Sequence, residues 1–99
     1  MAVSLNQSAK KYNMTYLDAP VTGAVPAAMA GTLNFLVGAE SEEVFQRAMP
    51  IMQAMGKRFF NCGKPGAGQV VKICNNMSLA TQMISISEAF VLGKSLGID

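Results

Sequence analysis

Two short stretches carry residues that can do chemistry. In Gly63–Asn76, GKPGAGQVVKICNN, three glycines crowd a turn and a single lysine, Lys72, follows in an uncharged, mostly apolar run. A helix begun at that turn places Lys72 and Asn76 four residues apart, on one face near its N-terminal end. The first N–H groups of such a helix have no partner within it and sit at the positive end of its dipole. An ammonium, a carboxamide and those N–H groups could then converge on one small anion. A lysine near a helix N-terminus opposes the dipole, and a position that accepts this cost hints at function. In Asp18–Leu33, DAPVTGAVPAAMAGTL, a strand end runs into Thr22-Gly23-Ala24. A hydroxyl beside closely approachable backbone N–H groups could hold a carboxylate.

Strand, glycine turn and helix also form the setting of a phosphate loop, but both standard patterns fail. A dinucleotide fingerprint needs Gly-x-Gly-x-x-Gly or Ala; counted from Gly66 and Gly68, the third position is Val71. The acidic residue expected about 20 positions on is absent. A P-loop needs Gly-Lys-Ser/Thr, whereas Gln69 and Val70 follow Gly68. On the residues alone, blander readings stay open. The glycines could simply start a helix whose Lys72 reaches solvent along its alkyl stem. Thr22-Gly23-Ala24 could be an ordinary strand-to-helix turn.

The elements that must position these residues are legible in outline. Residues 2–12 read as a short amphipathic helix. Tyr16–Val21 reads as a strand running into a turn, since Pro20 ends regular pairing. Pro26 suits a first helical turn. Thr32–Val37 has strand composition and ends at Gly38. Ser41 is a good N-cap, with Glu42 and Glu43 behind it, for a helix through Met55 that carries Pro50, a possible kink. Arg58–Asn61 reads as a short strand. After Gly68, apolar residues recur over most of the circumference, which predicts a helix packed on more than one side and running nearly to Gly97. At 1.5 Å per residue that is roughly 45 Å, too long for a globule of this size, and the chain reads as part of a longer protein.

Composition narrows the classes. The chain has 99 residues, 51% hydrophobic and 14% charged, with net charge +2. That is apolar enough for a core and too uncharged for disorder. With no basic run, nucleic-acid binding has no electrostatic footprint. There is no histidine, so Cys-His catalysis and His-containing zinc sites are excluded within these residues. Cys62 and Cys74 read as reduced, packed thiols. The uncharged run from Lys72 to Glu88 is interrupted by Asn, Ser, Thr and Gln, which makes it a poor membrane span.

The two stretches together resemble the β-hydroxyacid dehydrogenase family over nearly the whole chain. DAPVTGAVPAAMAGTLNFLVG is similar to the family's substrate-binding segment, usually Asp-x-Pro-Val-Ser-Gly-Gly with a later Gly-Thr-Leu. GKPGAGQVVKICNN is similar to its catalytic segment, with Gly63, Gly66, Gly68, Lys72 and Asn76 falling on the pattern without a gap. The resemblance implies an α/β fold: the C-terminal part of a Rossmann-type dinucleotide-binding domain plus the start of a long interdomain helix. Residues 1–65 would be the last part of that domain. Residues 66–99 would be the first half of the helix, leading into an all-helical domain. The reaction implied is reversible oxidation of 3-hydroxyisobutyrate to methylmalonate semialdehyde by hydride transfer to NAD or NADP. Sister reductases act on tartronate, succinic or glyoxylic semialdehyde, and some relatives without the lysine are non-catalytic.

In the roles so implied, Lys72 is the general acid–base and Asn76 hydrogen-bonds the substrate. Thr22, Gly23 and Ala24 hold its carboxylate, while Gly66 and Gly68 keep the turn slim for substrate and nicotinamide. The main cofactor loop would lie before Met1, so this chain alone is expected to be inactive. The partner implied is a small 3-hydroxy acid, with no nucleic acid, no membrane and a homo-oligomer at full length. The compartment implied is mitochondrial in eukaryotes and cytoplasmic in bacteria. Thr22 stands where the family usually has Ser, and Ala24 where it has a second Gly, whose replacement narrows the approach to the backbone.

Overall fold

The computed structural model describes residues 1–98. Seven elements follow in order: α1 (Ala2–Lys11), β1 (Val21–Thr22), α2 (Ala24–Met29), β2 (Leu33–Gly38), α3 (Glu42–Gln53), β3 (Gly56–Gly63) and α4 (Ala67–Ser95). The sheet order is β1-β2-β3, with β2 antiparallel to β1 and parallel to β3.

β2 is the centre of the fold because its residues serve two faces. Phe35 and Val37, with Ala39 just past the strand end, alternate along one face and are buried against Phe45 and Met52 of α3. Burying side chains of this size contributes about 1.5–3 kcal/mol each. Phe35 also pairs in register with Phe59 of β3, their ring centroids 5.8 Å apart. Leu36 is buried as well, and its carbonyl and the Gly38 nitrogen lie against Gly68 at the start of α4. α3 begins where its cap predicts: Ser41 Oγ accepts from the Val44 N–H at 3.3 Å, and Glu42 and Glu43 fill the first turn. The helix continues through Pro50 and stops at Gln53, two residues before the expected end.

The strand expected over Tyr16–Val21 is displaced. Ladder pairing is reduced to an isolated bridge at Asp18–Gly38, and the two-residue β1 lies after Pro20. The backbone still runs alongside β2, since Leu36 donates its N–H to the Pro20 carbonyl at 2.9 Å. Pro20 has no N–H to return, so pairing is interrupted there and resumes beyond it. β3 is longer than the expected Arg58–Asn61, because parallel pairing with β2 carries it from Gly56 to Gly63.

α4 has 29 residues, about 44 Å at 1.5 Å per residue, and the chain extends 64 Å along its longest axis. Only its first turns cross the sheet. Gly68 is its one buried residue, and its apolar side chains from Val70 to Leu92 are exposed. Packing on more than one side, expected from the sequence, is therefore not supplied by the described residues. Cys62 is half-buried, Cys74 is exposed, and neither is in a disulfide. Among the described residues, no helix is long and apolar enough to cross a membrane.

Candidate active site

One cleft, of about 610 Å³, lies between the β1–α2 turn and the second and third turns of α4. Thr22, Gly23 and Ala24 border it on one side, and Lys72, Asn75 and Asn76 on the other. Val25, Ala28, Leu33 and Leu79 supply its apolar lining. The five residues singled out from the sequence are thus brought together, although some fifty positions separate the two groups. Asn75 and Leu79 were missed. Their signal was available: positions 72, 75, 76 and 79 form the i, i+3, i+4, i+7 stripe of one helix face.

Local geometry accounts for the Thr22 side. Thr22 pairs with Asn34 across the antiparallel ladder, and the Asn34 side-chain amide donates to Thr22 Oγ1 at 3.3 Å. With an oxygen lone pair so engaged, the hydroxyl keeps its proton to donate. Gly23 is the N-cap of α2, at φ 123°, and no side chain caps this helix. The first helical bond runs from the Ala27 N–H to the Gly23 carbonyl, and Pro26 has no N–H. The N–H groups of Ala24 and Val25 therefore precede the ladder and have no intrahelical partner. Ala24 adopts φ 54°, the left-handed region. That conformation is natural for a glycine and costs an alanine about 1–2 kcal/mol.

On the α4 side, Lys72 is half-buried and Asn76 exposed. Among the described residues Lys72 makes no ion pair; the one ion pair is Lys10–Glu40, on the surface. Among the described residues no acidic side chain borders the cleft, and Lys72 is the one basic side chain that does.

Two expectations about the glycine turn are corrected. The first N–H groups of α4 are not free. The Asp18 carboxylate accepts from the Gly66 N–H through Oδ1 and from the Gln69 N–H through Oδ2, the latter at 2.9 Å, and the Ala67 N–H goes to the Lys64 carbonyl. The Gly66, Ala67 and Gln69 N–H groups at the α4 terminus are thus already engaged within the fold. Gly66 and Gly68 do not border the cleft either. Gly66 is the N-cap, at φ 99°, and Gly68 is buried against the sheet. A Cβ on Gly68 would stand 2.3 Å from the Leu36 carbonyl oxygen and 2.8 Å from Asp18 Oδ2. Their glycines serve turn geometry and helix-to-sheet contact. Asp18 had no local signal, because its partners lie 48 and 51 residues away.

Residues 1–63 match the family described as the NAD binding domain of 6-phosphogluconate dehydrogenase. Residues 66–99 match the family described as NAD-binding of NADP-dependent 3-hydroxyisobutyrate dehydrogenase. The chain is 49% identical over 91 residues to a probable 3-hydroxyisobutyrate dehydrogenase of Mycobacterium tuberculosis, covering 92% of this chain and 31% of that protein. It is 43% identical over 98 residues to an NAD-dependent L-serine dehydrogenase of Pseudomonas aeruginosa, covering 99% of this chain and 33% of that one. Among solved structures, it is similar to the M. tuberculosis 3-hydroxyisobutyrate dehydrogenase with L-serine, at TM-score 0.93 and 46% identity, over 99% of this chain and 33% of that one. The chain spans about a third of the length of the curated relatives it matches.

Proposed function

Because the chain belongs to the β-hydroxyacid dehydrogenase family, we propose that it supplies the substrate side of an oxidoreductase that reversibly oxidises 3-hydroxyisobutyrate to methylmalonate semialdehyde. The observation that carries this reading is the single cleft shared by Thr22, Gly23, Ala24, Lys72 and Asn76. In this reading residues 1–65 close a dinucleotide-binding domain and residues 66–99 begin the helix that leaves it.

The cofactor, NAD or NADP, supplies a hydride acceptor when bound. The described residues do not form its phosphate cradle, since the dinucleotide glycine pattern is absent and the α4 terminus is occupied by Asp18. What this chain contributes is binding and proton transfer. The substrate carboxylate lies at the Thr22 hydroxyl and the unpaired N–H groups of Ala24 and Val25. Asn76 hydrogen-bonds the substrate and keeps it in register with Lys72. In oxidation the neutral Lys72 amine takes the hydroxyl proton; in reduction its ammonium returns one to the forming alkoxide. The substrate methyl meets Val25, Ala28 and Leu79.

The relatives' names offer a second substrate, L-serine, which carries an ammonium where 3-hydroxyisobutyrate carries a methyl. Among the described residues the cleft is bordered by one lysine and no acidic side chain, and these residues give that ammonium no counter-charge. In the intact protein, kcat/KM for 3-hydroxyisobutyrate should exceed that for L-serine by about tenfold or more, on the usual scale of pocket discrimination. Initial rates of NAD(P)H formation measure this; the reverse ranking rejects the substrate assignment. Lys72→Ala should lower kcat by about 10²-fold or more. Unchanged turnover removes Lys72 from the mechanism.

A further inference from the structure

We propose that Asp18 is a positioning residue: its carboxylate ties the start of the helix that carries Lys72 to the strand segment that carries Thr22, and so sets the two sides of the cleft against each other. This rests on reading the cleft as the substrate site.

Asp18 is the one buried charged residue among those described, at 3% exposure, yet no basic side chain pairs with it. Its charge is met by the positive end of α4 through two N–H groups, one on each carboxylate oxygen. Hydrogen bonds to a charged group are worth about 1.5–3 kcal/mol each, which makes this a firm joint. Gripping Gly66 and Gln69 separately fixes both the height of the first turn and its rotation about the helix axis. Rotation matters downstream. A helix with side chains is about 10–12 Å across, so a 10° turn moves a side-chain tip by about 1 Å. Lys72 stands three residues beyond Gln69 and would be carried with it.

The other end of the joint is equally defined. Asp18 exchanges both backbone hydrogen bonds with Gly38, at 2.8 and 3.0 Å, and Thr22 pairs with Asn34 in the same register on β2. The carboxylate is boxed in by glycines: a Cβ on Gly38 or Gly68 would meet it within 2.4 or 2.8 Å. Misplacing a reacting group by about 1 Å costs on the order of 10²-fold in rate.

In the intact enzyme, Asp18→Asn preserves volume but turns a donor toward one of the two N–H groups. At a temperature well below its Tm, kcat should fall by about tenfold or more, with the KM for NAD(P) unchanged. Gln69→Pro deletes one donor and leaves Asp18 in place, at the third residue of α4, before the helix's own N–H ladder begins at Val70. It should lower kcat similarly, and the double variant should lose little more than the larger single loss, because both cut one joint. A folded Asp18→Asn or Gln69→Pro enzyme that keeps kcat within twofold, with only its Tm reduced, overturns the proposal. If Asp18→Asn does not fold, Gln69→Pro decides. Turnover retained by Lys72→Ala overturns the reading of the cleft and this proposal with it. Turnover lost by Lys72→Ala but kept by Asp18→Asn overturns this proposal alone.

Discussion

Gly68→Ala should separate α4 from the sheet by a predictable distance. The added Cβ would stand 2.3 Å from the Leu36 carbonyl oxygen and 3.0 Å from the Gly38 nitrogen. Both are backbone atoms of the central strand and have no rotamer by which to escape. A carbon–oxygen contact relaxes at about 3.3 Å, so the helix start must move outward by about 1 Å. Overpacking of this kind costs about 1–3 kcal/mol, and the displacement also stretches the Asp18 bonds to Gly66 and Gln69. Helix propensity returns about 1 kcal/mol when glycine becomes alanine. The net expectation is a loss of about 0–2 kcal/mol in urea denaturation, before the weakening of the Asp18 bonds is added, with kcat reduced on the order of 10²-fold by the shift of Lys72. Gly93→Ala is the internal control. It lies in the same helix with no atom within 4 Å of the added Cβ among the described residues, so it should gain about 1 kcal/mol and keep full turnover. If Gly68→Ala matched Gly93→Ala in both stability and rate, the close-contact reasoning would be refuted.

Ala24→Gly should stabilise the protein by about 0.5–1 kcal/mol. It removes the left-handed strain at φ 54°, partly offset by the greater entropy of an unfolded glycine, and a thermal melt that falls would contradict this. Glu42 should titrate below the ordinary glutamate range, because it accepts hydrogen bonds first from Gln46 and then from Asn61. With the folded pKa depressed, its contribution to stability is present above the ordinary glutamate pKa and is lost as pH falls through the lower folded value. Gln46→Ala should move the Glu42 titration upward by NMR; an unmoved curve would discard the assignment.

How much of this could be read from the chain differs by element. The α3 cap at Ser41, the β2 strand and the span of α4 follow from local composition and spacings of a few residues, and the structure places them within two or three positions of expectation. Local rules misjudged the strand expected over Tyr16–Val21, because a strand's extent depends on its neighbour. Pro20 interrupts a ladder whose other half, β2, lies beyond α2. The glycine turn was judged by its own composition, and its N–H groups therefore looked free. They are closed by a carboxylate 48 residues upstream, a partner that no window along the chain contains.

The sequence by itself determined which chemistry is available: one lysine and one carboxamide on a helix face, a hydroxyl beside a glycine turn, and no histidine. Covalent spacing and helical periodicity suffice for that. Only the tertiary structure decided that these groups share one cleft, and which helix end faces it. β3 pairs in parallel with β2 on the edge opposite β1, and the Asp18 joint then seats the first turn of α4 over β2. That joint also engages the start of α4, whereas the start of α2, which borders the cleft, has no side-chain cap. Burial forces the outcome: a carboxylate taken out of water must find donors, and the first turn of α4 is where they are.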